Sequence, residues 1–314
     1  MLEVIEASGL ATIQDLGRKG WRRFGVPLSG PMDAFAFQAA NLLAGNLSEA
    51  AALEIGGGEI ELQTDQDCVI AAAGAGYSLS VYTWEFPLWD SCFVRAGWKI
   101  RLGKNGSGMW AYLAVAGGLD IAPMLDSRST YVRGHIGGLE GRLLQEGDQL
   151  KIGKPRLPLL ELSARTLTED ARPAYQEAPQ IAVIPGPQNE CFTDESLKTF
   201  FSSPYRVSTT SDRMGYRLEG APLKHSHGAD LISEGLTIGS IQVPADGQPI
   251  VMMADCATTG GYPKIASVIR SDLPVLAQCT PGKDSVRFSG ITLQAAQTKY
   301  RVMMEKMRNG IVDS

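Results

Sequence analysis

Cysteine is sparse in this chain, and histidine is sparser. The five cysteines, at positions 68, 92, 191, 256 and 279, are odd in number and contain no CxxC pair. That pattern excludes a zinc ribbon and a disulfide frame, and it reads as reduced thiols in a cytoplasmic protein. Of the three histidines, His225 and His227 stand two apart in LKHSHGAD. With no other metal-like cluster, they read as a solvated loop, and no metal is expected. His135, among the glycines of VRGHIGG, leaves an acid–base role open. A basic stripe is also missing: 29 Lys and Arg stand against 34 Asp and Glu, for a net charge of -5. Nucleic acid is therefore not an expected partner. The opening MLEVIEASGL has two early glutamates and no basic leader, so no targeting segment is expected. The longest uncharged run, Cys68 to Trp84, is interrupted by Gly74, Gly76 and two serines. It reads as buried strands, and no membrane association is expected.

Glycine and short apolar runs are plentiful. There are 35 glycines in 314 residues, above the usual share of about 7%. LEVIEA and EIELQ alternate apolar and polar residues, while CVIAAAG, MWAYLAVAGG and QIAVIPG are short apolar runs closed by glycine. PIVMMAD is another. These read as strands. Three helices interrupt them. One runs from Pro31 to Ala44, capped by Ser29 or Gly30 and ended by Gly45. A second follows Thr193. A third runs from about Thr292 to Arg308, with Leu293, Ala296, Tyr300, Met303, Met304 and Met307 as its inner stripe. The proline-rich, charged stretch after Gly153 reads as a linker. The expected domains are 1–153, a linker over 154–180, and 181–314.

TTGGYPKIASVI, Thr258 to Ile269, is the stretch most suggestive of a site. A Walker loop requires G-x-x-x-x-G-K-[ST], and Lys264 follows Tyr262 and Pro263 instead. What remains is a helix opened by Pro263, with Gly260 and Gly261 at its positive end, hydroxyls from Thr258 and Thr259, and charge from Lys264. A purely structural turn is the competing reading. Asp255 ends an apolar strand just before the threonines, where a carboxylate is placed to accept from an amide. LDSRST and SDRMGYRL each set hydroxyls around an arginine suited to a carboxylate, Arg128 and Arg213. TIQDLGRKG is a glycine-bounded polar loop, and GKNGSG reads as a hairpin turn. MMEKMRNG lacks a biotinyl-lysine pattern because Glu305 precedes Lys306 in a helical segment, so no covalent biotin is expected on this chain.

Taken in order, TIQDLGRKGWRRFGVPLSGPMD, LAVAGGLD with SRST, SDRMGYRL, SEGLTIGSIQVPADGQPI and TTGGYPKIASVI resemble the biotin-dependent carboxyltransferase, or allophanate hydrolase subunit 2, family. Its bacterial members are named as the C subunit of 5-oxoprolinase, and one branch antagonises an inhibitor of a sporulation kinase. Two places depart from the family's habit: Asp126 stands where glycine is frequent before SRST, and Cys256 and Ala257 replace a bulkier polar pair. The resemblance implies a mainly β fold with two β-barrel-type domains of cyclophilin-like character. It implies a pocket for a small amide, partners resembling the A and B subunits of 5-oxoprolinase, and ATP in the assembled complex. On this reading Asp255 accepts the amide N–H, while Lys264 and Arg213 supply positive charge. Thr258, Thr259, Gly260 and Gly261 donate, and Tyr262 walls the pocket. Gln242 and Glu234 complete it, and Arg128 reaches in from the other domain. Three functions follow from the resemblance: ring opening of 5-oxoproline, carboxyl transfer from carboxybiotin to a urea-like amide, and regulatory capture of a kinase inhibitor.

Overall fold

A computed structural model describes residues 1–313. The fold is mainly β, as the alternating and glycine-closed runs require, and it divides into two compact units. One holds Met1–Lys19, Ser29–Pro173 and the chain from Met304 on; the other holds Gly20–Leu28 and Ala174–Met303.

The first unit is built on two sheets. One has six strands in the order Gln149–Leu150, Leu2–Ala7, Ile60–Thr64, Lys99–Lys104, Tyr77–Val81, Trp84–Phe86. The other has seven, in the order Leu10–Gln14, Ala52–Gly56, Trp110–Val115, Cys68–Gly74, Asp90–Val94, Arg165–Leu167, Ile311–Asp313. Val4, Leu62, Leu79 and Ile100 of one sheet share a core with Ile13, Ile55, Ile70 and Leu113 of the other. Strand periodicity sends the alternate residues of the second sheet to its opposite face. There Phe37 of the helix Ala34–Leu43 meets Tyr112 edge-on at 5.8 Å. Burial on both faces explains why Cys68–Gly74 reads as a continuous apolar run.

Three local expectations change. The helix begins at Ala34, and its cap is Asp33, whose carboxylate accepts from the Phe35 and Ala36 N–H groups. Ser29 and Gly30 have φ of 56° and 89° and form the turn before it. The GKNGSG loop joins no hairpin. It passes from one sheet to the other, because the strand before it pairs with Ile60–Thr64 and Tyr77–Val81 and the strand after it with Ala52–Gly56 and Cys68–Gly74. Lys104 pins the loop by donating to the carbonyls of Gly106 and Gly108. The stretch 154–180 carries its own elements. Leu162 buries against Val69 and Ala116, and Arg165–Leu167 pairs with Asp90–Val94 and Ile311–Asp313. Apolar residues among the prolines thus fasten this stretch to the first unit as far as Pro173.

The second unit contains a closed barrel of seven strands, in the order Gln180–Pro185, Lys264–Val268, Ser240–Gln242, Ile250–Met252, Gly215–Glu219, Tyr205–Val207, Ser285–Gly290. Parallel pairing of Ser285–Gly290 with Gln180–Pro185 completes the ring and leaves no free barrel edge. The helix Asp194–Ser202 is capped by Thr193 and places Phe200 flat on Phe288, 4.6 Å between centroids. The helix Leu293–Asn309 starts in this unit, with Ala296 buried and Leu293 exposed; from Met304 on it belongs to the first unit, and Met304 and Met307 are buried.

Candidate functional site

The stretch after the strand Ile250–Met252 owes its shape to barrel register. Gly215 lies opposite Met252, so the chain just before 215 continues beside the chain just after 252. Met253 N–H donates to the Met214 carbonyl at 3.1 Å and Asp255 N–H to the Arg213 carbonyl at 2.8 Å. The two side chains then meet in a fork: Arg213 Nε donates to Asp255 Oδ2 at 2.8 Å and Nη2 to Oδ1 at 3.1 Å. Both residues are buried, at 7% and 6% exposure. Planar two-point geometry of this kind is what makes an arginine–carboxylate pair strong and directional.

Beyond it the chain makes a short ribbon. Thr259–Gly260 pairs with Glu234–Gly235, with Glu234 opposite Gly260. Leu236 N–H donates to the Thr258 carbonyl and Leu231 N–H to the Gly261 carbonyl. No helix follows Pro263: Lys264–Val268 is a barrel strand, with Gln242 opposite Lys264. The expectation of a helix N-terminus behind the glycines is therefore overturned, because Ile265, Ala266 and Val268 are buried in a strand whose Ala266 pairs with Pro185 on one side and Ile241 on the other. Gly260 answers a different need. A Cβ there would lie 2.8 Å from Gln242 Nε2 and 2.8 Å from Leu236 Cδ1. The glycine lets Gln242 lie against the ribbon and donate to the Tyr262 carbonyl at 3.0 Å.

Lys264 is nearly buried and donates to Glu234 Oε2 at 2.7 Å. That hydrogen bond holds the Glu234 carboxyl below its ordinary range. Gln188 closes the arrangement, donating from Nε2 to Glu234 Oε2 at 2.9 Å and accepting the Lys264 backbone N–H at Oε1, 3.2 Å. Glu234, Thr259 and Tyr262 are exposed, and Thr258 and Gly261 are half-buried. Asp255 with Arg213 is one buried polar pair, Gln242 and Lys264 are buried beside the ribbon, and the ribbon presents carboxylate, hydroxyl and phenol groups to solvent.

Sequence reasoning grouped Glu234, Gln242 and residues 258–264, and strand pairing makes them neighbours. It missed Gln188 and Arg22. Gln188 sits in an ordinary-looking turn, GPQNE, and nothing in its spacing marks it. Arg22 donates from Nη2 to the carbonyls of Leu236 and Ala257, at 2.7 and 3.2 Å, and no local pattern predicts a bond so distant along the chain.

Arg128 lies in the first unit, with Nε donating to the Ile121 carbonyl at 2.7 Å. The hydroxyls of SRST gather around Asp15, not around Arg128 as expected. Asp15 accepts from Ser127 Oγ at 2.6 Å, Ser129 Oγ at 2.7 Å, Arg128 N–H at 2.5 Å and Gly17 N–H at 2.8 Å. A carboxylate with no room for solvent recruits the nearest neutral donors. In SDRMGYRL the hydroxyl of Ser211 accepts from Arg217 N–H. His225 rests on Phe192, with Nε2 3.0 Å from the Val243 carbonyl, and His227 is exposed. Among the described residues, no group of three His, Cys, Asp or Glu is placed to hold a metal. No helix among them is long and apolar enough to cross a membrane.

Residues 24–290 match the family model described as carboxyltransferase domain, subdomain A and B. The chain belongs to the carboxyltransferase domain family. It is 41% identical over 303 residues to a protein of Escherichia coli K12 named as the C subunit of 5-oxoprolinase, covering 94% of this chain and 93% of that one. A Haemophilus influenzae protein of the same name is 37% identical over 317 residues, covering 100% and 99%. The Lachancea kluyveri urea amidolyase is 32% identical over 94% of this chain, which matches only 17% of that enzyme. The crystal structure of Kluyveromyces lactis urea carboxylase superimposes with a TM-score of 0.92 at 29% identity, covering 98% of this chain and 29% of that longer one.

Departure from the family's habit at position 126 has a structural correlate in this carboxyltransferase domain. Asp126 has φ of 59°, in the left-handed region that glycine occupies without strain and aspartate tolerates better than most residues.

Proposed function

We propose that this chain is the C subunit of a 5-oxoprolinase and helps to bind 5-oxo-L-proline and open it to L-glutamate, together with partners resembling the A and B subunits of 5-oxoprolinase. The observation that carries this reading is the 41% identity to a protein of that name across 93% of its length. The buried polar groups and the ribbon of the barrel unit support it. A five-membered lactam carries one amide N–H, one carbonyl and one carboxylate, and the residues at 234–264 offer complements to each.

In this reading Asp255 is held by Arg213 in a fork that uses one lone pair on each oxygen, leaving others to accept the lactam N–H. Thr258 and Thr259, with the Gly261 amide, donate toward the lactam carbonyl, where negative charge gathers when water attacks, while the Gly260 amide is held by the ribbon pairing with Glu234. Lys264, shared with Glu234, and the Arg213 guanidinium give the carboxylate a positive setting. Gln242 and Gln188 hold that setting still, and Tyr262 forms a wall. Rate enhancement from such a site rests on orientation and fixed dipoles.

ATP belongs to the assembled complex in this proposal, and the 255–264 loop does not fit its phosphates. The glycines precede a strand, and Lys264 is occupied by Glu234. The nucleotide is assigned to a partner protein, the isolated chain is expected to be inactive, and the assembly is placed in the cytoplasm. A second reading, carboxyl transfer to a urea-like amide, draws on the overlay with urea carboxylase and needs the same amide pocket.

The test is co-expression with the neighbouring subunits, followed by assay of 5-oxoproline-dependent ATP hydrolysis and glutamate release with and without avidin. Release of glutamate indifferent to avidin is the expected result. Avidin-sensitive carboxylation of a urea-like amide would replace this reading with the second. Lys264→Glu in the same assembly should abolish turnover with an unchanged circular dichroism spectrum; wild-type turnover would remove Lys264 from the site.

A further inference from the structure

The segment Gly20–Leu28 comes from the amino-terminal part of the sequence but packs within the barrel unit. Its single turn of 3-10 helix, Arg22–Phe24, ends at Gly25 with φ of 81°. Trp21 and Phe24 lie 5.7 Å apart, with the Arg23 guanidinium 4.8 Å from the Phe24 ring, so the turn is braced by its own side chains. From this turn Arg22 reaches the two carbonyls at the open end of the site ribbon. Leu236 follows the strand Glu234–Gly235, and Ala257 precedes the strand Thr259–Gly260, so one guanidinium nitrogen joins both arms. Cys256, the residue before Ala257, is fully buried beside Leu236 and Met252.

The ribbon needs such a clasp. It has two registered residue pairs, Glu234 with Gly260 and Gly235 with Thr259, and a two-stranded ribbon of that length is not stable by itself. We propose that Arg22 is a positioning residue: it closes the ribbon that carries Glu234, Thr258 and Thr259, and so keeps the substrate-binding groups of the barrel unit in register. This rests on the proposed site, but not on which amide the site takes. Without the clasp, the competent ribbon is populated for only a fraction of the time. Apparent substrate affinity falls by that fraction, whereas turnover of bound substrate is nearly unchanged.

The closing experiment has two arms. In the first, the purified full-length chain and its Arg22→Ala and Arg22→Lys variants are treated with N-ethylmaleimide, and each cysteine is followed by mass spectrometry. Cys256 should be modified about tenfold faster in Arg22→Ala, the size expected when charged hydrogen bonds are lost from a locally opening segment, with Arg22→Lys in between. Buried Cys68, Cys92 and Cys279 should keep their wild-type rates. An unchanged Cys256 rate overturns the proposal; so does acceleration of all the buried cysteines together, which would make Arg22 a general stabiliser of the fold. In the second arm, the assembled enzyme carrying Arg22→Ala should show KM for 5-oxoproline raised about tenfold and kcat within about threefold of wild type, with partial recovery in Arg22→Lys. A loss confined to kcat overturns the proposal. Should the wild-type assembly have no 5-oxoproline activity, the functional reading fails, and the cysteine rates still decide the clasp.

Discussion

Each unit of this protein buries a carboxylate beside a glycine-bounded loop, and the two treat it differently. Asp15 in the first unit is surrounded by neutral donors: two serine hydroxyls and two backbone N–H groups. Asp255 in the barrel unit is answered by a full positive charge, the Arg213 guanidinium. The first arrangement ties the loop at 15–18 to the loop at 127–130 and loads Asp15 Oδ1 with three donors. The second leaves acceptor capacity on Asp255, which stands just ahead of a ribbon whose outer groups meet solvent. The contrast separates a buried polar knot that shapes a loop from one that can support a ligand.

The comparison breaks first at the charged pair. Removing one member takes from the other its buried counter-charge, so Arg213→Ala or Asp255→Ala should lower stability by about 3–5 kcal/mol. The double variant Arg213→Met/Asp255→Leu should lose less than either single change, since no lone charge remains. Urea denaturation of the three variants measures this, and additive losses would contradict it. At the neutral knot, Asp15→Ala strands several buried donors and should cost about 2–4 kcal/mol in the same assay. A loss under about 1 kcal/mol would show that the loops hold without it.

Acid sharpens the contrast more gently. Glu234 has its folded pKa depressed by Lys264, below the ordinary 4.5. The stability it contributes is present above the unfolded value and is lost as pH falls through the lower folded value. Glu234→Gln should therefore have a lower melting temperature than wild type at pH 7, and the gap should close in acid below the folded pKa. A gap independent of pH would detach the pair from stability. The smallest effect is expected at Asp126→Gly, which relieves a left-handed aspartate and should stabilise the first unit by about 0.5 kcal/mol, read as a small rise in urea midpoint.

The strands, the helix after Thr193 and the carboxy-terminal helix were legible because burial follows period, and period is written locally. So was the proximity of residues 258–264 to Glu234 and Gln242, since a short ribbon and a barrel register bring them together. The GKNGSG crossing was not legible, because a turn sequence does not state which sheet the next strand joins. The helix expected after Pro263 failed for a related reason: proline starts a helix only where the following residues are free to leave a sheet, and Ile265, Ala266 and Val268 are committed to the barrel.

What the sequence by itself determined is the mainly β class, the failure of a Walker loop and the family resemblance, all of which depend on residue type and spacing. Tertiary structure alone decided the partners: Asp15 with the serines, Asp255 with Arg213, Lys264 with Glu234 and Gln188, and Arg22 with the ribbon. These groups lie tens to hundreds of residues apart, and a buried charge takes whichever partner the fold delivers, because leaving it unanswered costs more than any local preference can return.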